Sequence, residues 1–268
     1  MPYTLAPWVP EVLKLFVGPL AGAFAGAMTA QGIAKRNATI QRQLDELRAT
    51  NAAVIAASAT VHAAAGLKRQ HVRTMKNAYD ELCLARDDAH LTGGVFHFKA
   101  DLQSLPPFRT TLPMLEKLVY ERISTSPGPL ALYALLAQSV GGVNDAIEGR
   151  NALVKALRAR SPIPDDELAD IYFGLFSADG HADESFPQLI EALVVNLDWT
   201  ILFGCVLTDE LAKHAKKLSD KHKTFPEGAR AEFDWLAKAG LIPPISDEDK
   251  KTFESLQIVP NLPKSDLE

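Results

Sequence analysis

The chain has 268 residues, of which 47% are hydrophobic and 23% charged, with a net charge of −5. Those proportions fit a chain that buries a core, and the acidic balance argues against general nucleic-acid binding, which draws on a basic excess. Two cysteines, Cys83 and Cys205, lie too far apart in sequence to frame a disulfide scaffold or a zinc site. Both sit in apolar helical patterns, which predicts buried free thiols in a reducing cytoplasm.

Residues 1–10 carry Pro2, Pro7 and Pro10 and read as irregular, within a leader that extends over residues 1–14. The segment Leu15–Ala34, LFVGPLAGAFAGAMTAQGIA, then runs 20 residues without a charge. A helix of that length crosses a hydrocarbon core of about 30 Å. Two rival readings are a cleaved signal peptide, for which Ala25-Gly26-Ala27 would be the cleavage site, and a buried core helix. The leader is long and proline-rich, and Glu11 offsets Lys14, which is unlike a basic signal n-region. A membrane span is the favoured expectation. Lys35, Arg36, Arg42 and Arg48 follow the span against Lys14 before it, which places the C-terminal side in the cytoplasm of a bacterial inner membrane. Trp8 would sit in the opposite interface.

Within the span Gly18, Gly22 and Gly26 recur every four residues and share one helix face. Glycine there lets two backbones approach closely in lipid, so this stripe is expected to form a homo-oligomer or to pack on another membrane protein.

Residues 35–91 contain no proline. A 4-3 spacing runs from Ile40, Leu44 and Leu47 through Asn51, Val54, Ser58, Val61, Ala65, Lys68, Val72, Met75 and Tyr79 to Leu82. That pattern predicts one long helix with a coiled-coil-like seam, in which Asn51 could fix register with a partner copy. Residues 49–66, ATNAAVIAASATVHAAAG, offer small side chains on nearly every face instead, which suits close packing against several neighbours. The helix is therefore either a coiled coil with a second chain or the central helix of the chain's own bundle. Gly66 marks a kink or an end.

Gly93-Gly94 closes that helix, and an extended piece is expected at Val95–Phe98. A helical domain over residues 92–242 follows. Pro113 opens a helix through MLEKLVYERI, and a second runs from about Pro129 to Arg160 with Gly141-Gly142 marking a close contact or a bend. Asp165, Asp166 and Glu167 open a short helix over LADIYFGLF, with acids at its positive end. The longest later helix runs from about Pro187 to His222. Its first half is apolar but holds Glu191, Asn196 and Asp198, which marks a buried core helix rather than a second span. ARAEFDWLAKAG predicts an amphipathic helix ended by Gly240. Residues 243–268 form a proline-containing tail with a short helix over Asp247–Leu256.

Candidate chemistry is sparse. The turn Asp179-Gly180-His181-Ala182-Asp183-Glu184 gathers oxygen and imidazole ligands but lacks the twelve-residue calcium-loop pattern, so its acids are expected to cap the next helix. Asp87, Asp88 and His90 near Glu81 lack a matching Glu-x-x-His pair for a bundle di-metal site. No metal, cofactor or catalytic residue is expected. Lys68, Arg69, His71 and Arg73 are weak anion-site candidates, as is the basic stretch Lys213–Lys223, though charge runs on helices are usually solvated faces. No Gly-rich phosphate loop, G-x-S-x-G, H-E-x-x-H or CxxC pair occurs.

At LKRQHVRTMK, RNALVKAL and IYFGLF the chain resembles uncharacterised bacterial proteins with one N-terminal span and a helical cytoplasmic region. The resemblance covers the chain from the span to about His222 and implies no functional residue, since that group has no assigned activity. The resulting expectation is an all-α protein: one N-terminal transmembrane helix continuing into a long helix, then a cytoplasmic helical bundle. It would act as a membrane-anchored interaction or scaffold protein. The alternatives are a membrane-anchored effector or sensor working through oligomerised anchors and, further off, a metal-dependent enzyme. Its partners would be the lipid bilayer and a second copy or another membrane protein.

Overall fold

The computed structural model describes residues 9–97, 99–124, 126–160, 163–175, 180–222, 224–256, 258–260 and 262, with side chains described from residue 20 onward. The protein is all-helical, and no extended strand occurs among the described residues. The backbone forms two compact units, residues 1–47 and residues 48–268. Helix α1 (Val9–Leu67) contributes to both.

In the first unit α1 is helical from Val9, and every described residue from 20 to 34 is exposed. Leu20, Phe24, Met28 and Ile33 are between 57% and 69% accessible.

In the second unit the remainder of α1 passes through one π-helical turn (Lys68–Val72) into α2 (Arg73–Thr92). The expected unbroken helix is thus interrupted by a widened turn, two residues after Gly66. Gly93 ends α2 in the left-handed conformation, φ 67°, which glycine adopts without a side-chain clash. Then come α3 (Leu112–Glu121), α4 (Pro127–Ala159), α5 (Asp165–Phe173), α6 (Ser185–Ser219), a single turn α7 (Asp234–Lys238) and α8 (Asp247–Ser255). Val95, Phe96 and His97 form no strand, and Phe98 lies outside the described residues.

The core forms where α1, α4 and α6 meet. Residues Thr200–Thr208 of α6 are buried at every position, so the helix is covered on all sides. A helix that is apolar all round needs such a covering, or lipid. Small residues make the approach close. A Cβ at Gly142 would overlap the Asn196 amide, one at Gly149 would lie 2.9 Å from Leu189, and one at Gly204 would lie 2.5 Å from Val61. Gly141-Gly142 therefore marks a close contact between α4 and α6. Ala53, Ala56, Ala57, Ala64 and Ala65 of α1 are buried to 1% accessibility or less. The seam residues Val54, Val61, Ala65, Val72, Met75 and Tyr79 all lie in this same core. From residue 53 onward the 4-3 pattern faces the chain's own helices rather than a free coiled-coil surface.

The connection between α2 and α3 is strapped to α4. Asn151 Nδ2 donates to the Leu105 carbonyl and its Oδ1 accepts from the Leu105 N–H, while Arg158 donates to the Leu102 carbonyl. Thr111 Oγ1 donates to the Ala56 carbonyl at 2.7 Å, joining the end of the connection to α1. The expected helix over ARAEFDWLAKAG shrinks to α7 because the backbone ahead of it is held elsewhere. Asn51 accepts from the Ala229 N–H and donates to the Glu227 carbonyl, which draws that stretch along α1.

Candidate functional site

The two halves of the sequence-derived oligomer surface have different surroundings. Gly22 and Gly26 lie in open space, with nothing within 4 Å of where a Cβ would stand. Gly18 lies in α1 among residues whose side-chain surroundings are outside the described set. Asn51 makes a two-sided amide pairing with residues 227–229 of its own chain. That amide is occupied and does not point to a partner copy.

The four weak anion-site candidates do not converge. The Lys68 ammonium sits 2.5 Å from Asp198 of α6 and reaches the Leu241 carbonyl. This pair explains Asp198: a carboxyl side chain on the core helix is matched by the one lysine that the π-helical turn presents to it. Lys68 and Asp198 are only 16% and 27% accessible, so solvent screens the pair less than a surface bridge. Arg73 donates to the Ala239 carbonyl. Arg69 and His71 are exposed.

Two lysines of the second basic stretch are paired within the chain. Lys213 contacts Asp209 at 2.8 Å and Glu210 at 2.7 Å, and Lys216 contacts Asp220 at 2.8 Å. Lys213 and Lys216 line a cleft of about 280 Å³ that contains none of Lys68, Arg69, His71 or Arg73. A neighbouring pocket of about 390 Å³ shares Asp209 and Arg230 with it and carries both signs of charge.

No group of three metal-ligating side chains occurs among the described residues. Asp179 lies outside the described residues. Asp183 accepts from the Ser185 N–H at 3.0 Å at the start of α6, and hydrogen bonds from Ser185 hold its carboxyl below the usual range. Glu184 accepts from Gln188. Asp87 pairs with Arg86. Cys205 is buried in α6, where desolvation pushes its thiol up, and Cys83 is half-buried.

Sequence reasoning missed two features. The first is Arg150, 1% accessible on α4, whose guanidinium donates to the Gln103 and Asp101 carbonyls and lies over the Phe186 ring. Burial lowers its pKa, with Asp101 opposing. It fastens the α2–α3 connection, and nothing in RNALVKAL distinguishes it from an exposed helical arginine.

The second is a groove of about 340 Å³ between α4, α6 and α8. Its floor is Leu135 and Phe203, and Trp199 stands in it 43% exposed. The groove exists because α8 docks through Phe253, which is buried edge-on against Phe203 at 6.2 Å between ring centroids. A capping box fixes the start of α8: Ser246 Oγ accepts from the Asp249 N–H, and the Asp249 carboxylate accepts from Ser246. Asp247 and Glu248 extend that acidic first turn beside the groove. Three helices distant in sequence build it, so no local motif announces it.

By length and composition, three described helical runs could cross a membrane: Leu20–Thr92, α4 and α6. The apolar windows within these runs are 56%, 44% and 56% buried within the protein, in that order, so the window in Leu20–Thr92 lies beyond the exposed residues 20–34. No family model matches the chain, and no curated protein or solved structure matches it either.

Proposed function

We propose that this protein is held in a bacterial inner membrane by a single span over Leu15–Ala34 and presents a cytoplasmic helical domain as an interaction or scaffold module. The observation that supports this is the described helix from residue 20 to residue 34, which has no charge and is exposed at every position. A continuous apolar helix of that size is unfavourable in water and marks a membrane or partner surface. Thr29 donates its hydroxyl to the Ala25 carbonyl at 2.8 Å, so that polar group is satisfied inside the helix, as lipid requires. Lys35 and Arg36 follow at once and set the orientation.

The same reading gives the bare face at Gly22 and Gly26, with Gly18, to a second copy in the bilayer. α4 and α6 are core helices in this reading, their apolar faces already covered by one another and by α1.

The test joins fractionation with topology. The full chain should stay in the membrane pellet after alkaline carbonate, and a reporter fused after Glu268 should work only if it is active in the cytoplasm. Carbonate extraction would sink the span, and a periplasmically active fusion would sink the orientation. Gly22→Ile should lower the oligomer mass in detergent while leaving insertion intact. An oligomer unchanged by it would take the stripe out of assembly.

A further inference from the structure

We propose that the groove between α4, α6 and α8 is a docking site for a basic segment of a partner protein, with a guanidinium or alkylammonium side chain seated against Trp199 and paired with Glu248. This rests on reading the cytoplasmic domain as an interaction module.

The case is an account of the groove's polar groups. Most of the polar side chains lining it are already committed within the chain. Ser139 Oγ donates to the Leu136 carbonyl and accepts from Thr200. Thr252 donates to the Glu248 carbonyl, and Ser246 and Asp249 satisfy one another in the capping box. Three groups have no hydrogen bond or ion pair among the described residues: the Trp199 indole N–H, the Gln138 amide and the Glu248 carboxylate. They border an apolar floor with room for a side chain, since the groove holds about 340 Å³.

Charge decides which side chain. The first turn of α8 carries Asp247, Glu248 and Asp249, and Lys250 balances Asp247 alone. Asp249 is turned inward to its cap, so Glu248 is the carboxylate left to face an occupant. An anion drawn by the indole and amide donors would meet that acidic turn. A cation meets it favourably and gains the face of a half-exposed indole ring, the aromatic surface that binds cations best. An arginine can also stack its plane on the ring and share its remaining donors with the Gln138 amide oxygen. A half-exposed tryptophan in a groove is also the kind of residue that carries much of the energy of a protein interface.

The experiment uses the full chain in detergent and four peptides, acetyl-Ser-Ala-X-Ala-Ser-amide, with X as Arg, Lys, Leu or Glu. Binding is read by titration calorimetry and by tryptophan fluorescence, with Trp199→Phe identifying the groove's share of the signal. At low salt the Arg peptide should bind about fivefold or more tightly than the Leu and Glu peptides, with Lys between, as expected for a cation on an aromatic ring beside a carboxylate. Glu248→Gln should remove most of that preference. Glu248 stands at the exposed rim, so the variant keeps the fold, which far-UV circular dichroism checks. Equal affinity for all four peptides, preference for Leu or Glu, a preference untouched by Glu248→Gln, or no binding up to about 10 mM each overturn the proposal. If binding fails while the chain still resists carbonate extraction, the groove assignment falls and the membrane anchor stands. If the chain is extracted, the anchor falls and the peptide result still judges the groove.

Discussion

Asn51 and Ala229, 178 residues apart, are joined by a 2.7 Å hydrogen bond from the Ala229 N–H to the Asn51 amide oxygen. The same amide donates to the Glu227 carbonyl, so one side chain on α1 satisfies both edges of a segment that has no helix of its own. A free coiled-coil seam would treat Asn51 as a register device, with Asn51→Leu strengthening association. The observed pairing predicts the reverse for the folded domain. Asn51→Leu leaves a backbone donor and a carbonyl without partners and should cost about 1–3 kcal/mol. Thermal unfolding of the full chain in detergent checks this, and a midpoint equal to or above wild type would show that the pairing contributes nothing.

Lys68 and Asp198 form a second long-range link, between the π-helical turn and the core helix. Removing either partner strands a charge in a poorly hydrated place. Lys68→Met and Asp198→Asn should each destabilise the domain by about 1–3 kcal/mol, and the double variant should cost less than their sum. A double-mutant cycle with a coupling energy indistinguishable from zero would reduce this pair to an ordinary surface bridge.

Gly204 tests the packing of α1 on α6. A Cβ there would lie 2.5 Å from Val61, well inside contact distance. Gly204→Ala should destabilise by about 1–3 kcal/mol despite the better helix propensity of alanine, because overpacking outweighs it. Val61→Ala in the same chain should recover part of the loss. Gly26→Ala provides the contrast, since that position is open and should leave the domain's unfolding midpoint unchanged.

Asp183 gives a pH prediction with a definite sign. Its carboxyl is held below the usual aspartate range by hydrogen bonds from Ser185. A depressed folded-state pKa means stabilisation fully present above about 3.8, the unfolded value, and lost as pH falls through the folded one. Asp183→Asn should therefore flatten part of the acid limb below about pH 4 and change little at neutral pH. The group is largely exposed, so the effect is small. Unfolding midpoints across pH 2–6, roughly the range in which carboxylates titrate, decide it, and identical acid limbs for both proteins would show that the Ser185 hydrogen bonds to Asp183 contribute nothing.

The sequence by itself determined that the chain is helical and where several of its helices begin. Pro113 and the Asp165–Glu167 acids punctuate the chain where α3 and α5 begin, because proline geometry and the charge at a helix end act within one turn, while α4 starts at Pro127, two residues ahead of the expected Pro129. It also showed a stretch without a charge over Leu15–Ala34. The tertiary structure decided what the long seam faces. Spacing is the same whether Val54 and Val61 meet a second chain or α6, and only packing around Gly204 distinguishes the two. It decided that ARAEFDWLAKAG yields one turn, since Asn51 competes for the backbone from 178 residues away. It also turned Arg150 inward and brought Trp199 and Glu248 to one groove. Such groupings bring together residues from helices far apart in the chain, and helical periodicity carries no information across those distances.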